Sequence, residues 1–354
     1  SMQERYLEAL ISDIQQTGRE QRYTIHTVFC GGGTPSLYSP QQIDRVFQAC
    51  RQAFNWKPVE VTIEANPGTV TAESLQGYHD IGIHRISLGV QALQEHLLQS
   101  LNRIHSTADV SQAVQWARQA GYKNLSLDLI YGLPGQQLQD WDDTLDLVLS
   151  LEPEHFSIYQ LIVEPGTRLE SQIKTREIHL PPEGRMLRMD SVGRQRMRQE
   201  GYRPYEISNW TKPGFHSRHN RIYWQDRPYL GLGCGATGFV NGWRIRRILH
   251  PEIYARVLNK GGSPISSCEK MGFQNALRDC LMMGLRTCWG VSFRRLTQRF
   301  PEFNLAKLRY ALSELPDNWF EWKQENAQPI ALRLTRKGAD FATTVQHALM
   351  ESIL

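Results

Sequence analysis

Three polar side chains stand at or near the ends of apolar, β-rich runs. Glu64 closes VEVTIE, Gln91 closes RISLGVQ, and Asp128 lies in NLSLDLI. Neighbours in this series are about 30 residues apart, the length of a βαβ unit. Two carboxylates and an amide brought together can bind an ammonium group or a pair of ribose hydroxyls. Gly31-Gly32-Gly33-Thr34-Pro35 directly follows another such run, TIHTVFC. Three glycines permit positive φ and close approach of a polar ligand to the backbone. Their N–H groups can take a carboxylate or phosphate, although the triplet also reads as a tight βα turn. Arg103, in LNRIHS, can pair with a carboxylate; alone it reads as a surface charge.

The elements that must position these groups follow from periodicity. Strands are predicted over 24–30, 59–64, 85–91, 124–130 and 156–162, with amphipathic helices between them. Ser39-Pro40 supplies an N-cap and a proline at the first helical position. Ser106 with Asp109 forms a capping box, and Gly121 stops the helix that follows. Alternating strands and helices imply a parallel sheet. The C-terminal ends of its strands, at Cys30, Glu64, Gln91, Asp128 and Gln160, would then share one mouth, where ligands bind. Polar residues at strand ends can simply cap a sheet; three on neighbouring strands favour a shared site. The chain opens with a helix feeding a strand, so a first strand is expected upstream. Pro181-Pro182 introduces a long helix, residues 202–210 read as extended, and 211–264 as a loop-rich stretch. From about Cys268, three short helices and a β-hairpin suggest a winged-helix-like module.

The 40 Lys and Arg against 36 Asp and Glu give a formal charge of +4, and 40% of residues are hydrophobic. This composition excludes disordered and collagen-like chains and does not by itself argue for nucleic acid. The C-terminal Arg294, Arg295 and Arg299 are diluted by Glu302, Glu314 and Asp317, so a nucleic-acid partner is not expected. No membrane span or signal segment is read. The six cysteines, among them Cys30 and Cys50, form no CxxC pair; a reducing cytoplasm is expected.

GGGTPS at 31–36, EANPG at 64–68, RISLGVQ at 85–91 with LNRIHS at 101–106, and LDLIYGLPGQ at 127–136 stand in register over 27–165. Together they closely resemble the coproporphyrinogen-oxidase-like branch of the radical S-adenosylmethionine (SAM) enzymes. YEISNW at 205–210, HNRIYW at 219–224, YLGLGCGATGF at 229–239 and LMMGLRTCWGV at 281–291 resemble that branch's haem chaperones. The resemblance implies an α/β fold: a partial (β/α)6 TIM-like barrel over 3–170, a barrel extension with a haem-associated region over 171–265, and a winged-helix-like domain over 266–354. It implies that Gly31, Gly32, Gly33 and Thr34 bind the methionine end of SAM, and that Glu64, Gln91, Arg103 and Asp128 line its pocket. It also implies that His219, Asn220, Tyr223 and Trp224 bind haem.

The residue chemistry suits that reading. His219 can ligate haem iron, with His216 a competitor. Tyr223 and Trp224 offer flat faces, and Arg218 and Arg221 can pair with propionates. The alternative is a loop whose aromatics pack beneath the sheet while His219 makes a backbone hydrogen bond. The implied function is haem delivery to client haem proteins such as respiratory-chain components, and the resemblance admits a homodimer. Oxygen-independent coproporphyrinogen III oxidation is the alternative activity. One departure is large: the family's CxxxCxxC, whose thiolates hold a 4Fe-4S cluster, is absent and belongs upstream of Gln3. The cluster is therefore expected only in a longer form, and these 354 residues are not expected to act as an oxidase.

Overall fold

The computed structural model describes residues 1–103 and 105–352, except the side chains of 350–352. Ile104 of LNRIHS lies outside the described residues.

Five strands, β1 (Thr24–Cys30), β2 (Asn55–Ala65), β3 (Arg85–Gln91), β4 (Leu125–Tyr131) and β5 (His155–Gln160), pair in parallel and in sequence order. Between them run α1 (Met2–Glu20, ahead of β1), α2 (Pro40–Ala53), α3 (Ala72–Asp80), α4 (Glu95–Ser100), α5 (Thr107–Gln119) and α6 (Leu138–Ser150). The caps fall where the residue types put them. Ser39 with Gln42 and Ser106 with Asp109 each form a reciprocal capping box.

Ile63, Ile86, Leu88, Leu127 and Phe156 point to one face of the sheet and are fully buried against the helices. At about 1.5–3 kcal/mol for each large apolar side chain, this layer drives the packing. The alternate residues point to the other face and are largely polar. Their distribution fixes the register, because a one-residue slip would bury them among the helices.

After α7 (Arg168–Lys174) and α8 (Glu183–Gln199), the extended segment expected over 202–210 is instead two short strands. They are β6 (Arg203–Pro204) and β7 (Asn209–Thr211), and β7 lies antiparallel on β5. The chain turns back between β6 and β7, which pair antiparallel with each other, so β7 runs against β5. The stretch expected to be loop-rich is also more ordered. It holds α9 (Arg218–Trp224), a sheet of β8 (Thr237–Val240), β9 (Trp243–Arg247) and β10 (Ile265–Lys270), and α10 (Pro251–Asn259). Asp13 of α1, fully buried, ties this region to the parallel sheet: it receives Arg247 at 3.2 Å and the Tyr254 hydroxyl at 2.8 Å.

The C-terminal portion comprises α11 (Phe273–Leu285), β11 (Val291–Ser292), α12 (Phe293–Arg299), α13 (Leu305–Leu312), β12 (Phe320–Glu325), β13 (Gln328–Leu334), α14 (Arg336–Asp340) and α15 (Ala342–Ser352). It has its own core, with Leu296, Leu308, Leu332 and Val345 fully buried. It meets the main sheet at β6–β7, where the Cys288 amide donates to the Tyr205 carbonyl at 3.0 Å. Arg295 and Arg299, of the basic set read in the sequence, donate to the carbonyls of Gln225 and Asp226 at 3.0 and 2.7 Å.

Candidate functional site

The polar face of the sheet is built by strict alternation. Glu60, Thr62 and Glu64 of β2 share it with Arg85 and Ser87 of β3, Ser126 and Asp128 of β4, and His155 and Ser157 of β5. Glu64 and Asp128 lie two strands apart on this face, about 10 Å across the sheet. Both face the same side of the sheet.

Glu64 accepts the Gly32 amide at 3.0 Å, so the carboxylate organises the glycine loop. Gly32 has φ +80, which glycine adopts without strain. At Gly31 a Cβ would lie 2.6 Å from the Phe29 ring and 3.2 Å from the Glu64 carboxyl carbon, so a side chain there would displace both. Asp128 accepts from Ser87 Oγ at 3.1 and 3.0 Å and from Ser126 Oγ at 3.2 Å. Burial raises the pKa of both carboxyls. Hydrogen bonds from Gly32 to Glu64, and from Ser157 and Ser87 to Asp128, oppose the rise without cancelling it. Neither carboxylate has an ion-pair partner among the described residues, so a cationic or hydroxyl-bearing ligand between them would relieve the desolvation.

Gln91 ends β3 with φ +66, a strained backbone for a non-glycine residue of the kind that clusters at ligand sites. Arg103 is half-buried. Its charge bears on His105, whose Nε2 meets the Val90 carbonyl at 3.0 Å beside the end of β3. Thr34 precedes the short helical turn Pro35–Leu37.

HNRIYW is not a loop but the helix α9, seated against the same polar face. Ser217 caps it, accepting the Asn220 amide at 3.2 Å. Glu60, buried on β2, accepts the amides of Arg218 and His219, each at 2.9 Å. A carboxylate at a helix N-terminus satisfies orphan donors and complements the helix dipole. His219 is buried and stacks on Phe29, ring centroids 5.3 Å apart. Its Nδ1 meets Thr27 Oγ1 at 2.8 Å and its Nε2 the Tyr223 hydroxyl at 2.7 Å. Burial, then the charge of Arg85, lowers its pKa to about 4. The ring is therefore neutral but presents no free nitrogen: the open imidazole expected for an iron ligand is absent from this arrangement. Asn220 is half-buried beside it.

Tyr223 stands edge-on to Tyr229 at 4.7 Å. Trp224 lies beneath the Arg286 guanidinium, 4.8 Å from it. The partners expected for propionates are placed differently from each other. Arg218 is exposed, whereas Arg221 stacks over Trp289 at 4.6 Å. His216 packs edge-on to Tyr205 at 5.0 Å. Along the outer edge of β1, with which no strand pairs among the described residues, runs a largely apolar groove of about 910 Å³. Its lining joins Gly31, Gly32 and Thr34 to His219 and Tyr223.

Sequence reasoning missed the groups that hold the site together. They are Thr27 and Glu60, the buried Arg85 with no hydrogen-bond partner at Nε, and His155, which links Ser126 to Tyr205 through bonds of 2.8 Å on each side. The signal was present in the alternation E-x-T-x-E over 60–64 and R-x-S over 85–87. Among the described residues no three His, Cys, Asp or Glu side chains are grouped to hold a metal ion. Cys30 and Cys50 are thiols pushed up to about 12 by burial. Among the described residues, no thiolate set fits an iron–sulfur cluster.

The Radical SAM superfamily model matches residues 2–148, the stretch that holds the parallel sheet, its glycine loop and the two carboxylates. The fold is that of the coproporphyrinogen III oxidase HemN from Escherichia coli, with a TM-score of 0.83 and 20% identity, over 98% of this chain and 82% of that one. More specific are two curated relatives. The chain is 34% identical to the "Heme chaperone HemW" of Bacillus subtilis over 83% of its length and 79% of that protein's. It is 37% identical to the "Heme chaperone HemW" of Synechocystis over 92% and 80% respectively. The chain belongs to the haem chaperone (HemW) family of radical SAM proteins.

Proposed function

We propose that the chain carries haem as cargo on the α9 side of its sheet, binds SAM at the strand ends, and hands haem to client haem proteins. The observation that carries this reading is the shared support of the two regions. Strand β2 holds the glycine loop through Glu64 and the HNRIYW helix through Glu60, four residues earlier. The names of the HemW relatives support the cargo.

In this reading the parallel sheet is a partial barrel and the C-terminal portion a winged-helix-like module that closes over β6–β7. Gly31 to Thr34 receive the methionine end of SAM, Glu64 and Asp128 its ammonium and ribose hydroxyls, and Gln91 and Arg103 complete the rim. SAM supplies a sulfonium, whose positive charge the two desolvated carboxylates suit. Haem lies against Asn220, Tyr223 and Trp224. Ligation of its iron by His219 requires the ring to give up Thr27 or Tyr223, a loss of about 1 kcal/mol per hydrogen bond.

Haem titration followed by absorbance, then transfer to an apo haem protein, tests the reading. Saturable uptake and transfer are expected; a chain that takes up no haem refutes it. Equilibrium dialysis with SAM tests the second half, with Asp128→Asn expected to weaken binding.

A further inference from the structure

Tyr223 and Tyr229 line both the groove beside β1 and a second cleft of about 390 Å³. That volume lies within the ~300–1,000 Å³ typical of small-molecule sites. Trp224 of α9 and Phe239 of β8 form its aromatic walls, and the thioethers of Met271 and Met283 line it. Its polar end is Arg244, paired with Asp279 at 2.5 Å. The indole Nε1–H of Trp224 is buried without an acceptor.

Flat aromatic side chains and two soft sulfur donors lining one cleft suit a metallated planar macrocycle. Thioethers ligate haem iron, aromatic faces stack on its ring, and Arg244 can exchange Asp279 for a propionate. Neither alternative place offers this combination. His219 has both nitrogens engaged. The groove beside β1 runs along a strand edge unpaired among the described residues, whose backbone N–H and C=O groups a macrocycle cannot satisfy.

The geometry points to this cleft as the haem-holding site, with the iron ligated by the thioether of Met271 or Met283. His219 is then a positioning residue that fixes the Tyr223 wall through its Nε2. This inference rests on the reading of the chain as a haem carrier and locates the cargo within it.

The test titrates the full chain with ferric haem, followed by absorbance and magnetic circular dichroism. The variants are Met271→Leu, Met283→Leu, the two combined, and His219→Gln. The wild type and His219→Gln are expected to show a sulfur-to-iron charge-transfer band. The double variant is expected to lose it, with Kd raised at least about tenfold, the lower end of what losing even an outer-shell partner costs a metal site. Whichever single variant reproduces the loss identifies the ligand. Unchanged spectrum and Kd in the double variant, or loss of the band in His219→Gln alone, overturns the inference.

A measurement on the wild type guards against a variant that does not fold. Gallium protoporphyrin is expected to protect Met271 and Met283 from added chloramine-T, read by mass spectrometry; undiminished oxidation of both overturns the assignment. Failure of the wild type to bind haem defeats the carrier reading itself. Normal haem binding by the double variant defeats only the cleft.

Discussion

Replacing Glu60 by alanine removes two charge-assisted hydrogen bonds from the first turn of α9, to the amides of Arg218 and His219. Each such bond contributes about 1.5–3 kcal/mol, so removing both weakens the helix by about 3–6 kcal/mol. Water entering the vacated volume can recover part of that, which favours the lower bound. At 1.4 kcal/mol per decade, 3 kcal/mol is about a hundredfold in the local opening equilibrium. Amide hydrogen exchange over residues 218–224 reads this directly, and the distant α5 amides serve as the internal control. Protection of α9 is expected to fall about a hundredfold in Glu60→Ala and about half as far, on a logarithmic scale, in Glu60→Gln, which keeps one acceptor. Haem affinity should fall in the same order, because Tyr223 and Trp224 lose their fixed positions. Protection unchanged within about threefold, less than 1 kcal/mol, would refute the claim that β2 anchors the haem-motif helix.

Other expectations follow from the same contacts. Gly31→Ala drives a methyl group into the Phe29 ring and the Glu64 carboxyl; it should destabilise the chain by about 1–3 kcal/mol and weaken SAM binding measured by dialysis. Asp128→Asn and Glu64→Gln should each lower SAM affinity about tenfold to a hundredfold, the equivalent of one charged hydrogen bond. Because both carboxyls have raised pKa values in the fold, their ionisation opposes stability as pH rises, so both variants should melt higher than the wild type at neutral pH without ligand. His219 behaves oppositely: its folded pKa is lowered to about 4. The folded chain then binds fewer protons than the unfolded one between about pH 4 and 6.5, and stability present above that window is lost as pH falls through it. His219→Gln should flatten this acid limb in α9 exchange; an unaltered pH profile would show that the ring does not titrate with the helix.

Much of the polar face around the glycine loop was legible in the sequence. Glu64 and Gln91 stand at or next to the ends of β2 and β3, as strand periodicity with βα spacing suggests, whereas Asp128 lies midway along β4 rather than at its end. The glycine loop was legible for a local reason, since Gly32 needs a left-handed backbone. The haem-motif segment was not. A seven-residue helix is marginal in isolation, and α9 exists because Glu60, far back in the chain, meets its N-terminus. The direction of β6 and β7 was likewise hidden: three residues of strand carry no periodicity that distinguishes parallel from antiparallel pairing.

The sequence by itself determined the order of strands and helices, the apolar face of the sheet, and which polar types reach its mouth. These follow from side-chain period and turn chemistry, both local properties. Tertiary structure alone decided that His219 spends its two nitrogens on Thr27 and Tyr223, that Arg85 is buried with its Nε unpartnered, and that two methionines line one cleft with Trp224. Those outcomes depend on contacts between residues distant in the chain, and no local pattern encodes where such partners meet.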